Sequence, residues 1–190
     1  VIYRTIYFIP RVTSMVAMSS VWLFLYNPQY GFFNNVLSIF GIPPVRWLNE
    51  PETALPSVAV IIIWITVGYA TVLFISGLQN IPASVIEAAE LDGATGIRRI
   101  ISIDLPLVSP TTFMLLILIT IESLQIFTTI DVMTQGGPAN STQNLVVMLY
   151  RYAFQKYQIG YASAVSVILF VLILAVNMVQ MRFEKEVVYD

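Results

Sequence analysis

Four long apolar runs constrain this chain more than any other feature of its sequence. Each is long enough to cross a lipid bilayer, which takes about 20 residues in a helix. The second and fourth runs contain no charged residue, and the third is interrupted only by Glu122. Strict alternation of apolar and polar residues is missing, so we expect helices, whose backbone polar groups are satisfied internally. The predicted spans are 6–26, 55–78, 107–130 and 161–181.

The composition agrees with a polytopic membrane protein. Of the 190 residues, 57% are hydrophobic and 11% are charged, against about 25% charged in soluble domains. The mean hydropathy is +0.80. The absence of Cys and His excludes thiol nucleophiles and disulfides, and zinc sites built from these residues, so we expect no metal. Because the sequence begins with Val1 and not Met, we expect a single transmembrane domain over 1–190 that is a piece of a longer protein.

The positions of Lys and Arg near the ends of the spans predict an orientation. If the first residues face the cytoplasm, six basic residues lie on the inner side and three on the outer side. The inner set is Arg4, Arg11, Arg98, Arg99, Arg182 and Lys185, and the outer set is Arg46, Arg151 and Lys156. We therefore expect the loop over 79–106 and the C-terminus to be cytoplasmic.

The loop over 79–106, called the knob below, carries helix signals of its own. Ser84-x-x-Glu87 fits a capping box, in which the serine oxygen accepts a backbone N–H and the glutamate reaches back. Gly93 is the expected helix stop, because glycine adopts the left-handed conformation at low cost. A second short helix is expected to follow until Pro106 opens the next span. Two short helices joined at a glycine predict a rigid projection at the membrane surface.

The knob also contains a long, spaced motif. Glu87-Ala88-Ala89 is followed after three residues by Gly93, and after nine more by Ile103-x-Leu105-Pro106. This pattern resembles the EAA loop of binding-protein-dependent ABC importer permeases. In that family the loop forms a coupling helix that seats in a cleft of the cytoplasmic ATPase subunit. The resemblance implies an ATPase-coupling role for Glu87, Ala88, Ala89, Asp92, Gly93, Ile103, Leu105 and Pro106.

Further short motifs narrow the resemblance to carbohydrate importers. They are Asn27-Pro28 with Gly31 and Asn34, Trp47-Leu48, Gly77-Leu78-Gln79 before Ile81-Pro82, Gly136-Gly137-Pro138, and Gly160-Tyr161-Ala162-Ser163-Ala164. Together they resemble the first permease subunit of maltose- and glycerol-3-phosphate-type systems over nearly the whole chain. Permeases for amino acids, peptides or ions have a similar loop and remain the alternative, so the carbohydrate assignment depends on the flanking motifs alone.

The resemblance implies an all-α membrane protein with the type I ABC importer permease fold, in a bacterial or archaeal inner membrane. Its implied partners are a second permease subunit, often a different protein, two ATPase copies and an extracytoplasmic solute-binding protein. The sequence has no Gly-x-x-x-x-Gly-Lys-Ser/Thr loop to cradle a nucleotide. We therefore expect ATP hydrolysis on a separate subunit and no cofactor in this chain.

Two other classes of membrane protein are disfavoured. An intramembrane enzyme would need a catalytic partner for the single carboxylate, and the spans offer no paired carboxylate, His, Cys or Ser–Lys set. A free-standing channel would need a ring or a repeated filter motif, and none is present in the sequence. A transporter subunit fits better than either.

Glu122 is the only acidic residue deep within a predicted span, and an unpaired charge in lipid is costly. With Gln125 one turn later, it either lines the translocation path and hydrogen-bonds sugar hydroxyls, or makes an interhelical contact that fixes packing. Asn177 and Gln180, late in the last span, are predicted to be packing or interface residues.

Two further sets of residues have alternative interpretations. Arg98 and Arg99 are anchors at lipid head groups or contacts to the ATPase. Gly136-Gly137-Pro138 is a simple turn or, as the resemblance implies, a contact with the solute-binding protein.

Overall fold

The computed structural model describes the backbone of residues 2–188 and the side chains of residues 3–183. Regular structure over this range is entirely helical, which confirms the all-α prediction. The α-helices are α1 Ile2–Val12, α2 Met15–Leu25, α3 Phe32–Ile39, α4 Pro51–Gln79, α5 Ala83–Leu91, α6 Gly96–Arg99, α7 Leu105–Leu107, α8 Ser109–Leu124, α9 Thr128–Met133, α10 Leu145–Tyr150 and α11 Ile159–Val188. Two wide π-helical turns, Ile100–Asp104 and Arg151–Gln155, continue α6 and α10.

Among the described residues, three helical segments without a sharp bend are long and apolar enough to cross a membrane. They are α4, the α8–α9 segment over Ser109–Met133, and α11 over Ile159–Phe183. These segments coincide with the second, third and fourth predicted spans. The α8–α9 segment is interrupted, because the backbone leaves helical geometry between Gln125 and Phe127. This break places polar backbone and side-chain groups beside α4.

The first predicted span, 6–26, is not one continuous helix. Helices α1 and α2 meet at a bend of 99° and form either a broken span or a re-entrant segment. Pro10 lies inside α1 and lacks the backbone N–H that would strengthen the helix there. Ser14 then adopts a non-helical conformation with φ −53° and ψ 125°. The chain therefore turns sharply just after Arg11.

A core of aromatic and aliphatic side chains joins α2, α3, α4 and α9. Tyr26, Ile61, Ile65 and Met133 are buried together, and the Tyr26 hydroxyl donates a hydrogen bond to the carbonyl oxygen of Ser57 at 3.1 Å. Helices α8 and α10 pack against α11. The two packed groups are joined through α4, which contacts both α8 and α9.

Helix α1 approaches α4 at a glycine. A Cβ atom added to Gly68 would lie 2.0 Å from the carbonyl oxygen of Tyr7, so only glycine fits without moving a helix. Near the other end of this contact, Arg4 donates a hydrogen bond to the Gln79 side chain at 3.4 Å. Small residues at such crossings allow two membrane helices to approach closely.

We expect Gly68→Ala to destabilise the intact subunit by about 1–3 kcal/mol, because overpacking forces a backbone shift. Gly160→Ala is the matched control, since no atom lies within 4 Å of a Cβ added at Gly160. The thermal unfolding of the detergent-solubilised protein would be measured for both variants. Equal melting temperatures for the two variants would contradict the close packing of α1 on α4.

Candidate functional site

The first helix of the knob, α5, ends at a left-handed glycine. Gly93 has a φ of +76°, and its N–H donates to the carbonyl oxygen of Glu90 at 3.1 Å. The N–H of Ala94 donates to the carbonyl oxygen of Ala89 at 2.9 Å. These two bonds form a Schellman motif, which satisfies the last carbonyls of a helix. The predicted helix stop at Gly93 is confirmed.

The predicted capping box at the start of α5 is wrong. The helix begins at Ala83 with Pro82 in the N-cap position, and no side chain caps it. The ring of Pro82 fixes its φ at −60°, so the chain enters the helix without help from a serine oxygen. Ser84 therefore lies within the first turn. Glu87 is exposed and takes no part in capping.

The second half of the knob is also helical, but it ends later than predicted. Helical structure resumes at Gly96 and continues to Leu107 through the wide turn over Ile100–Asp104. Pro106 lies inside this stretch, so the prediction that it opens the next span is wrong. The first turn of α8 contains Pro110 instead, a position where a missing N–H costs no intrahelical bond.

Arg99 ties the two halves of the knob together. Its Nη1 lies 3.4 Å from Oε1 of Glu90 on α5, and its Nε lies 3.4 Å from Oδ2 of Asp104 in the π-helical turn. Asp104 is buried, with 7% of its surface exposed. A buried carboxylate is costly unless it is paired, and Arg99 supplies the opposite charge. Neither interpretation from the sequence included this role. Arg98 is exposed and is available for either of them.

The knob presents a mixed apolar and acidic surface. Leu91 is 90% exposed and Ile97 is 74% exposed, and they lie on either side of Gly93. Of the residues to which the sequence assigned ATPase coupling, Ala89 is buried and Ile103 is half-buried against the chain itself. The exposed ones are Glu87, Ala88, Asp92, Gly93, Leu105 and Pro106. Large exposed apolar side chains beside charged ones are typical of a protein-interaction surface.

A second site joins α1 to α8 through an ion pair. Arg11 donates two hydrogen bonds to Glu122, from Nη1 to Oε2 at 3.0 Å and from Nη2 to Oε1 at 2.5 Å. The guanidinium carbon also lies 4.4 Å from the centre of the Tyr69 ring on α4, within range of a cation–π interaction. Arg11, which the sequence places only in the inner set of basic residues, therefore also neutralises Glu122 between α1 and α8.

The ion pair lines a cavity of about 310 Å³ between α1, α2, α4, α8 and α9. The side chains of Arg11 and Glu122 are 27% and 44% exposed, so both reach the open space. Gln125 and Thr66 add further hydrogen-bonding groups to the same wall. Glu122 thus makes the interhelical contact and also lines this cavity together with Gln125. That the cavity belongs to the translocation path stays a prediction.

The loop between α9 and α10 folds tightly around residues 136–138, which are buried or half-buried. The Thr142 hydroxyl donates to the carbonyl oxygen of Gly137 at 2.8 Å, and Arg151 donates to the carbonyl oxygen of Gln135. Gly136, Gly137 and Pro138 therefore shape a turn, and the exposed tip is made by their neighbours. The tip residues are Gln135, Ala139 and Asn140. A contact with the solute-binding protein stays a prediction.

A hydrogen bond joins the last span, α11, to α8. The amide nitrogen of Gln180 on α11 donates to the hydroxyl of Thr120 on α8 at 2.8 Å, which confirms the predicted packing role of Gln180. The side-chain oxygens of Asn177 and Gln180 are buried and have no hydrogen-bond partner among the described residues.

Comparison with known proteins assigns the family. The sequence profile described as the binding-protein-dependent transport system inner membrane component matches residues 2–189. The chain belongs to this permease family. The trehalose/maltose transport system permease protein of Thermococcus litoralis is 37% identical over 95% of this chain. The sn-glycerol-3-phosphate transport system permease protein of Brucella abortus is 39% identical over 99% of it.

Solved structures give the same fold for this permease. The bacterial alginate ABC transporter, in complex with an alginate pentasaccharide-bound periplasmic protein, matches 98% of the chain with a TM-score of 0.87 and 24% identity. This likeness confirms the predicted ABC importer permease fold. The chain covers 61% and 64% of the two relatives and 65% of the alginate transporter chain, so it spans under two thirds of each.

Proposed function

We propose that this permease chain lines the translocation path of an ABC importer for a carbohydrate or a related polyol, and that the knob receives the movement of a separate ATPase subunit. The observation that carries this proposal is the course of α8. This helix begins two residues after the end of α7, and near its far end it places Glu122 in the cavity wall. A helix of 16 residues spans about 24 Å, so a displacement of the knob moves the cavity wall directly.

The proposed partners follow from the family and from the surfaces of the chain. The knob would dock on one of two ATPase copies that hydrolyse ATP, and a second permease subunit would complete the path. The name of the family refers to a binding protein, and the alginate transporter was solved with a periplasmic one. The exposed tip of the loop between α9 and α10 is the proposed contact for such a protein.

The proposed orientation places the knob and the C-terminus in the cytoplasm. Without Arg11, which is paired with Glu122, five basic residues of the inner set remain against three of the outer set, so the bias keeps its direction. One of the five, Lys185, has a side chain outside the described residues.

The polar groups of the cavity favour the binding of a hydroxyl-rich solute. Carboxylate, guanidinium, amide and hydroxyl groups all line it, and together they offer many donors and acceptors at short range. The names of the relatives include both a neutral disaccharide pair and a phosphorylated polyol, so membership of the family leaves the charge of the solute open. A binding screen with the partner solute-binding protein would distinguish a carbohydrate from an amino acid, a peptide or an ion.

Charge reversal at Glu87 tests the coupling role. We expect Glu87→Lys to lower transport by about tenfold or more, because reversing a charge at a docking surface disrupts its complementarity. Uptake of the screened solute and ATPase stimulation would be measured with the full complex in proteoliposomes. Glu52→Lys is the matched control, since Glu52 is exposed in the first turn of α4, far along the helix from the knob. Normal transport and normal ATPase stimulation in Glu87→Lys would overturn the coupling role.

A further inference from the structure

The charges in the cavity cancel. Among the described residues that line it, only Arg11 and Glu122 are charged, and they face each other through two parallel hydrogen bonds. Arg11 is therefore already neutralised before any solute enters. Bidentate pairs of this kind are also oriented strongly, since the fork of the guanidinium matches the two carboxylate oxygens.

The pair keeps unused hydrogen-bonding capacity. A guanidinium group has five N–H donors, and a carboxylate has about four acceptor sites. Two of each are occupied in the bond between Arg11 and Glu122. Because their side chains are 27% and 44% exposed, the remaining donors and acceptors are within reach of a solute. A hydroxyl group both donates and accepts, so it can bond to either partner without separating them.

An anionic solute meets a different situation. To pair with Arg11 it must displace Glu122 or lie beside that carboxylate, and a like charge in close contact is unfavourable. No other described residue of the cavity lining offers a cation to compensate. Tyr69 adds to this effect, because its ring covers the guanidinium at 4.4 Å and so occupies a further part of its surface.

We infer that the cavity selects solutes without net charge, and that Glu122 is the specificity-determining residue that rejects anions by holding Arg11. This inference rests on the proposed function of the cavity and deepens it. Glu122 acts here by pairing with Arg11, so that the guanidinium group is not available to bind an anionic solute. Glu122 can also hydrogen-bond to the solute itself. Removing its charge would leave Arg11 as an anion-binding group at the same place.

The test compares two probes that differ in one group, methyl α-glucopyranoside and its uronate, methyl α-glucopyranosiduronate. Their binding to the purified full-length permease complex, without the solute-binding protein, would be measured by saturation-transfer NMR and competition. We expect the wild type to bind the neutral probe about tenfold more tightly or better, and Glu122→Gln to abolish or reverse this preference, because the like charge is gone. Gln125→Ala, which removes an uncharged lining group, should weaken both probes and leave their ratio unchanged.

Further variants keep the test decisive. Glu122→Asp should retain the preference for the neutral probe, and Arg11→Gln should weaken the uronate further. If Glu122→Gln does not fold, the double variant Arg11→Gln/Glu122→Gln, which has no unpaired charge, should lose discrimination instead. Equal or tighter binding of the uronate by the wild type would overturn the inference while leaving the cavity as a solute site. If Gln125→Ala does not weaken the binding of either probe, the probes bind outside the cavity, and that result would also overturn the inference. The uptake assay with Glu87→Lys tests the proposed function independently.

Discussion

Gly93→Val is expected to uncouple ATP hydrolysis from transport while the protein still inserts into the membrane. The residue has a φ of +76°, and a left-handed conformation costs a residue with a Cβ about 1–2 kcal/mol, more when the side chain is β-branched. A Cβ at this position would meet no atom within 4 Å, so the effect is conformational and does not come from a clash. The two bonds that end α5 would be lost, and the knob would change shape.

Three substitutions at Gly93 distinguish a conformational effect from a general loss of contact with the ATPase subunit. Asn tolerates the left-handed conformation best after glycine, so Gly93→Asn should transport almost as well as the wild type, Gly93→Ala less, and Gly93→Val least. Uptake and ATP hydrolysis would be measured in the same proteoliposomes, and the number of solutes moved per ATP compared. We expect Gly93→Val to lower this ratio by about tenfold, since each 1.4 kcal/mol changes an equilibrium by that factor. A Val variant that matches the Asn variant would contradict the conformational role of Gly93.

The elements that the sequence predicts well are those with local physical causes. The three long spans follow from apolar runs that contain no charged residue or, in the third, only Glu122, because a lipid environment leaves the backbone few alternatives to a helix. The stop at Gly93 is equally local, since a glycine after a short helix has the conformational freedom that a helix end requires. The all-α fold could therefore be predicted from the sequence.

The features that the sequence did not predict depend either on which of several neighbouring residues starts a helix or on contacts between residues far apart in the chain. Ser84 and Glu87 have the spacing of a capping box, but Pro82 already fixes the chain direction two residues earlier, and the helix begins there. Counting charges near span ends places Arg11 in the inner set and gives it no partner, because nothing local indicates one. Its partner, Glu122, is 111 residues away, and the two meet because α1 and α8 both pack against α4. Glu122 itself could be selected from the sequence, since an isolated acid in an apolar run needs a partner.

Because Arg11 and Glu122 form an ion pair, we expect each single charge removal to destabilise the protein more than removal of both. Breaking a buried pair leaves an unpaired charge and costs about 3–5 kcal/mol. The side chains here are 27% and 44% exposed, so we expect about 1–3 kcal/mol for Arg11→Met or Glu122→Leu, because solvent screens part of the penalty. The double variant Arg11→Met/Glu122→Leu should recover much of this loss.

A double-mutant cycle measures the coupling directly. Thermal or denaturant unfolding of the intact subunit in detergent would be followed for the wild type, both single variants and the double variant. Contacting charges typically give a coupling free energy of about 0.5–3 kcal/mol, and additive effects of the two substitutions would contradict the pairing. Tyr69→Phe is the control, because it keeps the ring over the guanidinium and should change the coupling little. A strong coupling would mean that the ion pair, which neutralises the cavity, also fixes α1 against α8. A solute able to separate Arg11 from Glu122 would then loosen the contact between α1 and the helix that leads to the knob.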